Sequence, residues 1–338
     1  MNIGIMLSLI KSNTNAHERR HRYRQHSDYT PELPLFSRGW WLDAAAGEKN
    51  WDAVFVEKGE NIIASMPFVI SRSKGFVKLT QPALTQALGP WISDSAASYA
   101  KKLQREKELL TALFNKLPNH HVYSQNWHHQ QMNWLPLHWQ GYEQTTRYTY
   151  RLPDISDENY LWTNFLENIR REIRKAENRF SLIIRDDLTI DDFLDLHEQT
   201  FSRQGKKIPY SKELVKKIDT ACMKRKSRKI FIAEDNEGNR HSGVYIVWDE
   251  NAAYYLMGGS NPAFRTSGAA SLCMWEAIRF SATVSNSFDF EGSMLEPIER
   301  FFRSFGARQT PYHNISSVSS NFLKIILFYK NMFQNKSK

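Results

Sequence analysis

Apolar residues recur along the chain with two periods, one typical of β-strands and one typical of helices. Two runs of β-branched and aromatic residues, 52–57 and 61–70, flank a turn at Lys58-Gly59-Glu60, which predicts a hairpin. The other runs that predict strands lie at 76–79, 121–124, 229–234, 243–248, 252–257 and 288–290. Turn residues separate three of these runs between 229 and 257, so the second half of the chain predicts an antiparallel meander.

Helices are predicted where apolar residues return every three or four positions. The strongest pattern runs from Tyr160 to Arg179, where one apolar stripe lies beside a row of arginines, and it predicts a single long helix. The other predicted helices are a short one at 40–42 and longer ones at 98–117, 190–203, 211–224, 268–282 and 298–305. Pro297 and Gly306 bracket the last of these in the positions that helix ends favour.

These elements predict an α/β (α+β) protein of two domains, each with a mixed, mostly antiparallel sheet flanked by helices. A chain of 338 residues, of which 41% are hydrophobic, is long enough to bury two cores. The predicted parts are a polar, loosely ordered lead-in at 1–33, domains at 34–150 and 151–320, and a tail helix at 321–338. The stretch 151–158 between the domains predicts a linker.

Charge and cysteine content limit the partners and the compartment. The formal net charge of +9 favours an anionic partner such as a phosphorylated cofactor, nucleic acid or lipid head group. Cys222 and Cys273 lie in unrelated contexts without CxxC spacing, which indicates a reduced, cytoplasmic setting. The first ten residues lack the positive charge and the cleavage site of a signal peptide. No apolar stretch approaches the roughly 20 residues that span a bilayer, so we expect no integral membrane span.

A group of histidines invites a metal hypothesis. Its members are His120, His121, His128, His129 and His138. They show no HExxH or comparable ligand spacing, so the sequence predicts no metal site.

The stretch Arg265-Thr266-Ser267-Gly268-Ala269-Ala270 joins the meander to a predicted helix. The first turn of a helix has unpaired backbone N–H groups and a positive dipole end, which together favour an anion. Small residues permit close approach, and Arg265 adds a positive charge. The loop therefore predicts a binding site for a pyrophosphate, the alternative being an ordinary helix start.

Arg265-x-x-Gly268-x-Ala270 resembles the [RQ]-x-x-G-x-[AG] signature with which the GNAT acyltransferase superfamily binds acyl-CoA. The meander before it, the strand at 288–290 and the stretch 301–307 resemble the second domain of the FemAB-like and BioF2-like branch. That branch has two GNAT-like domains in tandem. The first half, with Trp40-Trp41-Leu42 and the hairpin to Ile70, is similar to its degenerate first domain.

The resemblance implies roles for several further residues. The strand that contains Leu256 and Met257 would offer backbone groups to the pantetheine arm and the developing oxyanion. Glu291, or less directly Asp289, would accept a proton from the acceptor amine. A structural role, with both acids turned to solvent, is the alternative. Arg300 and Arg303 share one helix face that would contact an anionic substrate, or would simply be solvated.

The predicted function is transfer of an acyl group from acyl-CoA to an amine of an amino sugar or of a cell-envelope precursor peptide, with no permanently bound cofactor. Aminoacyl-tRNA is the alternative donor, as in the Fem enzymes that build peptidoglycan bridges. Two other hypotheses remain open. Basic residues at 224–229, in the helix at 170–175 and near the N-terminus suggest a nucleic-acid-binding protein, and an inactive tandem domain would serve as a scaffold.

Overall fold

The structure is a computed structural model that describes residues 15–73, 75–292, 294–319 and residue 323. Its strands are β1 (Trp51–Lys58), β2 (Asn61–Ser73), β3 (Phe76–Thr80), β4 (Trp91–Ile92), β5 (Val122–Asn126), β6 (Glu143–Leu152), β7 (Ile183–Arg185), β8 (Arg228–Glu234), β9 (Arg240–Trp248), β10 (Ala253–Ser260), β11 (Phe288–Asp289) and β12 (Arg308–Val318). Its helices are α1 (Ala16–Asp28), α2 (Gly39–Ala46), α3 (Tyr99–Asn115), α4 (Leu135–Trp139), α5 (Glu158–Asn164), α6 (Glu167–Asn178), α7 (Ile190–Arg203), α8 (Lys212–Lys224), α9 (Ala269–Ser281) and α10 (Glu296–Arg303).

All the described strands belong to one mixed sheet. Its order is β1-β2-β3-β5-β12-β6-β11-β10-β9-β8-β7, and β4 pairs with β2 beside this path. Two ladders are parallel, β3 with β5 and β10 with β11, and the other described ladders are antiparallel. The predicted α/β class with mostly antiparallel pairing is therefore confirmed.

The two halves of the chain, 15–152 and 153–319, repeat one order of elements. In the first half, the meander β1-β2-β3 is followed by α3, the parallel strand β5, α4 and β6. In the second half, the meander β8-β9-β10 is followed by α9, the parallel strand β11, α10 and β12. This repeat confirms the predicted tandem arrangement.

The halves exchange their last strands. β6 leaves the first half and pairs with β11 of the second, and β12 returns to pair with β5 of the first. β6 and β12 then pair with each other along nine residues. Neither strand was predicted, because threonines, arginines and other polar residues dominate both. The linker predicted at 151–158 is wrong at its start, since Arg151 and Leu152 are the last residues of β6.

The lead-in is not loosely ordered over the residues that the structure describes. Asn15 and Glu18 form a capping box at the start of α1. Tyr23, which is fully buried, donates a hydrogen bond from its hydroxyl to the Ser37 carbonyl at 2.8 Å. Ion pairs such as Arg24 with Asp43 hold the charged faces of α1 against the first half. A single aromatic anchor among charged residues gives too weak an apolar pattern to predict this helix.

The predicted helix at 160–179 is two helices, because the backbone of Phe165 and Leu166 is extended. The break lets Phe165 pack edge to face against Trp275 and Phe305, with ring centroids 5.0 and 5.1 Å away. The amide of Leu166 donates to the Ser304 carbonyl at 2.9 Å. The predicted tail helix at 321–338 lies outside the described residues, apart from the buried residue Leu323.

The exchanged strand β12 should make the halves unfold together. Ile315 of β12 is fully buried in the core of the first half, which includes Leu110 and Tyr123. We predict that Ile315→Ala lowers the free energy of unfolding by about 2–5 kcal/mol, because it removes buried methyl groups and leaves a cavity. The measurement is urea unfolding followed by tryptophan fluorescence, with Arg308→Ala, an exposed residue of the same strand, as control. Two transitions, of which only one shifts, would contradict the coupling.

Candidate functional site

The two chain segments that follow the parallel strands meet at the junction of the halves. One is Trp127-His128-His129 after β5, and the other is Phe290-Glu291 after β11. Between them lies a cavity of about 30 Å³, room for about one water molecule. Its lining residues are Gln86, Ala87, Trp127, His128, His129, Thr149, Tyr254, Asp289, Glu291 and Tyr312. Both halves therefore contribute side chains to one polar site.

Asp289 lies in β11 with only 6% of its surface exposed. The Thr149 hydroxyl and the Glu291 amide both donate to its Oδ1, the amide at 2.8 Å. Arg151, the neighbour of Asp289 across the β6–β11 ladder, has its Nε 3.5 Å from Oδ2. Burial raises the pKa of Asp289, and these donors and the Arg151 charge act against that rise.

Glu291 lies on a tight turn directly after β11. Its φ is +62°, a left-handed backbone that residues with a Cβ rarely adopt. Gly292 follows with φ +48°, and a Cβ there would come within 2.2 Å of the Tyr148 carbonyl oxygen. Burial, and then the charge of Asp289, raise the pKa of Glu291 well above its ordinary value. Asp289 is thus buried and Glu291 partly buried, and both line the cavity at the junction of the halves.

His128, His129 and Arg151 are site residues that the sequence analysis did not assign. Arg151 Nη1 donates to His129 Nε2 at 2.8 Å, and the two histidine rings are in contact, tilted at 49° with centroids 4.1 Å apart. Burial lowers the pKa of His129 to about 4 and also lowers the pKa of His128. The sequence pattern of these histidines suggests only a metal hypothesis. Within the described residues, no group of three or more His, Cys, Asp or Glu side chains could hold a metal ion.

The predicted phosphate loop lies at the start of α9. Gly268 is its N-cap with φ +84°, and a Cβ there would come within 2.1 Å of the Glu172 carbonyl oxygen of α6. Ser267, Gly268 and Ala269 are buried, whereas the side chains of Arg265, Thr266 and Ala270 are exposed. Among the described residues, no group accepts a hydrogen bond from the backbone amides of Thr266 and Ala270. The loop therefore offers solvent a positive charge and two free donors.

The strands that precede and follow α9 separate next to this loop. Among the described residues, β10 pairs with β11 at Ala253–Phe288 and Tyr254–Asp289 only. Beyond Tyr254 this edge of β10 is unpaired, while the opposite edge stays paired with β9 to Ser260. The ladder with β9 shifts register between Tyr255 and Met257. As a result, Leu256 and Met257 both point into the core under α7 and α8. These two residues can offer a ligand only their backbone groups.

Arg300 and Arg303 are exposed on α10 and do not line the junction cavity. Each forms an ion pair within its own helix, Arg300 with Glu296 at 3.0 Å and Arg303 with Glu299 at 2.9 Å. Glu299 also accepts a hydrogen bond from the Tyr150 hydroxyl at 3.0 Å. Both arginines therefore form solvent-exposed ion pairs within their own helix.

Comparison with known proteins identifies relatives of this fold. A model of the acetyltransferase (GNAT) domain family matches residues 163–292. A crystal structure of FemX superposes with a TM-score of 0.66 at 13% identity, covering 87% of this chain and 95% of that one. No curated protein sequence matches the chain significantly.

Two further solved structures share the fold. One is the C-terminal domain of a putative lysylphosphatidylglycerol synthetase from Agrobacterium fabrum, with a TM-score of 0.55, 9% identity, and coverage of 94% of this chain and 96% of that one. The other is a tandem GNAT protein from the clavulanic acid biosynthesis pathway, with a TM-score of 0.52, 9% identity, and coverage of 90% and 96%. Across the described part of this chain, no helix is long and apolar enough to cross a membrane.

The raised pKa of Glu291 predicts a pH-dependent effect on stability. A carboxyl that binds its proton more tightly in the folded state stabilises the fold at low pH, and that contribution is lost as the pH rises through the raised pKa. We therefore predict that Glu291→Gln raises the melting temperature at pH 8 and that the gain shrinks towards pH 4. Calorimetric melting across this pH range measures the difference.

The control is Glu299→Gln. The Arg303 partner lowers the pKa of Glu299, so its contribution to stability is present above its ordinary pKa and is lost as the pH falls. This variant should show no gain at pH 8. An equal gain in both variants would mean that burial of Glu291 is not the cause.

Proposed function

We propose that the second half binds an acyl donor and that the junction cavity receives an acceptor amine. The premise is that residues 163–292 match the acetyltransferase (GNAT) domain family and that most of the chain shares the fold of FemX and of a tandem GNAT protein. The observation that carries this proposal is the position of Glu291. It lies just beyond the point where β10 and β11 separate, and it lines the cavity that both halves share. Affiliation with the BioF2-like proteins stays a prediction.

The donor's phosphates would bind at the start of α9. The amides of Thr266 and Ala270 and the positive end of the helix dipole favour a pyrophosphate, and Arg265 adds a charge. From there the acyl arm would follow the unpaired edge of β10 towards the junction cavity. Backbone amides near Leu256 and Met257 would stabilise the oxyanion that develops on the acyl carbonyl.

The reaction is direct attack of an amine on a thioester. The acceptor enters as an ammonium, and Glu291 takes one proton and frees the nitrogen lone pair. Nitrogen then bonds to the carbonyl carbon while the carbon–sulfur bond breaks. The second nitrogen proton passes to the departing thiolate, so the products are an amide and a thiol. The raised pKa of Glu291 makes its carboxylate a better proton acceptor than an exposed glutamate.

The body of the acceptor would lie in the first half. A second cavity of about 500 Å³ shares His128 with the lining of the junction cavity. Aromatic and polar side chains line it, among them Tyr29, Trp91 and Gln131. Such a lining suits a sugar or a peptide, because both present polar groups along an extended chain. The proposed acceptor is therefore an amino sugar or an envelope-precursor peptide.

We favour acyl-CoA over aminoacyl-tRNA as the donor because the basic regions of the chain are largely occupied by acids. In the run 224–229, Arg225, Arg228 and Lys229 pair with Asp28, Asp219 and Asp186. In α6, Arg170 and Lys175 pair with glutamates of the same helix. Cations already paired in this way contribute less to a broad nucleic-acid surface, since they release fewer counterions on binding.

Binding of the donor can be tested with one matched pair of variants. Ala270 is the second residue of α9, and Ala100 is the second residue of α3, its counterpart in the first half. An aspartate at either position suits the helix dipole and should leave the fold intact. We predict that Ala270→Asp weakens CoA binding at least tenfold by repelling the pyrophosphate, whereas Ala100→Asp leaves it unchanged. Isothermal titration with CoA and acetyl-CoA measures both.

Arg265→Ala should also weaken CoA binding, while Gly268 variants are poor probes because any Cβ there meets α6. Equal binding by Ala270→Asp and the parent would place CoA elsewhere. If the parent itself binds no CoA, the same pair of variants should be titrated with aminoacyl-tRNA.

The role of Glu291 predicts a separation of binding from catalysis. Glu291→Gln keeps the shape of the side chain but cannot accept the proton, so we expect acyl transfer to fall by about 10²–10⁴-fold. CoA affinity should be unchanged, because the phosphates bind at α9. Thiol release from acetyl-CoA in the presence of amino sugars and amine-bearing peptides measures the rate. Full activity in Glu291→Gln would remove Glu291 as the base.

A further inference from the structure

The turn that contains Glu291 is built against the first half of the chain. Its left-handed backbone is a conformation that persists only where the surroundings hold it. Gly292 packs directly on the Tyr148 carbonyl of β6, and the amide of Phe290 donates to the Tyr150 carbonyl at 2.9 Å. The exchanged strand β6 is therefore the surface on which this turn rests.

The Asp289 side chain links the turn to β6 through hydrogen bonds. Its Oδ1 accepts the amide of Glu291, two residues later, and also accepts the hydroxyl of Thr149 from β6. Its Oδ2 faces the guanidinium of Arg151. Oδ1 is thus occupied by two donors of the turn and of β6, which places the carboxylate to hold the turn. The Arg151 charge 3.5 Å from Oδ2 opposes transfer of a proton from a substrate to this acid.

Arg151 connects this carboxylate to the first half. Its Nη2 donates to the Ser287 hydroxyl at 3.2 Å, and its Nη1 donates to His129 Nε2 at 2.8 Å. His129 accepts on Nε2, so its ring is neutral when this bond is made. A chain of contacts thus runs from His129 through Arg151 and Asp289 to the backbone of Glu291.

We propose that Asp289 is a positioning residue for Glu291 rather than a second base, and that Arg151 and His129 of the first half hold Asp289 in that role. The inference rests on the proposed function of Glu291. It assigns the first half a direct part in setting the geometry and the charge of the catalytic turn. Arg151 is placed to do this because β6 belongs to the first half in sequence and to the second half in the sheet.

The pKa of Glu291 depends on the charged and titratable groups around it, and a test of the positioning role should change one of these groups at a time. Asp289 raises the pKa of Glu291 by repulsion, and Arg151 offsets the charge of Asp289. The other groups that face the cavity are Tyr254, Tyr312, His128 and His129, and Tyr312 interacts with Arg147. Asp289→Asn removes the charge but keeps an oxygen that can accept the Glu291 amide. Asp289→Ala removes the charge and the hydrogen bond.

The experiment is a carbon-13 NMR titration of the Glu291 carboxyl in the full chain, assigned by its loss in Glu291→Gln. In Asp289→Asn we expect the Glu291 pKa to fall by about one unit or more, as for two interacting carboxyls. The exposed acid change Asp187→Asn is the control and should leave it unchanged. In a second measurement, Arg151→Met should raise the pKa of Asp289 by removing its counter-charge.

The hydrogen bond from the Glu291 amide to Asp289 is tested by a separate measurement. Hydrogen exchange at the Glu291 amide should speed up at least tenfold in Asp289→Ala and stay near the parent rate in Asp289→Asn. An unchanged Glu291 titration in Asp289→Asn, or equal exchange in the two variants, would overturn the positioning role. Both measurements use the protein without donor or acceptor. Their outcome is therefore independent of the CoA titration, so failure of the positioning role and failure of the proposed donor site can be told apart.

Discussion

The pairing of β6 with β11 sets Arg151 opposite Asp289, and the rest of the candidate site depends on this register. A shift of one residue would turn Arg151 to the other face of the sheet and would leave Asp289 buried without a counter-charge. The pairing exists only because each half gives its last strand to the other. The same exchange that joins the two halves into one sheet therefore also assembles the polar cavity between the halves.

Within the second half, the loop that suits phosphates and the acid that could accept a proton lie at different places. The start of α9, at one end of β10, offers free amides and a positive charge, which suit phosphates. The turn after β11, where β10 and β11 have separated, holds the partly buried acid Glu291, whose pKa is raised. The first half supplies the other wall of the cavity through Trp127, His128 and His129. A donor in one half and an acceptor in the other would meet at Glu291.

The sequence predicts the elements that have strong apolar periodicity. It misses the elements that form only through contacts with residues distant in sequence. The meander, α7, α8 and the loop at 265–270 were predicted because their apolar spacing and turn residues are local signals. The sequences of β6 and β12 are too polar to predict central strands. These segments form strands because they pair with strands of the other half. The break at Phe165 follows from ring packing with distant residues. The sequence indicates Asp289 and Glu291 as candidate bases, but their partners Arg151 and His129 belong to the first half and are distant in sequence.

The most direct test of the account is a crystal structure of the protein with a non-hydrolysable acyl-CoA analogue. We expect the pyrophosphate on the amides of Thr266 and Ala270 and the pantetheine arm along the unpaired edge of β10. We expect the acyl carbon beside the junction cavity, within reach of an amine held by Glu291. An analogue bound away from the α9 start, or an acyl carbon directed away from Glu291, would contradict it.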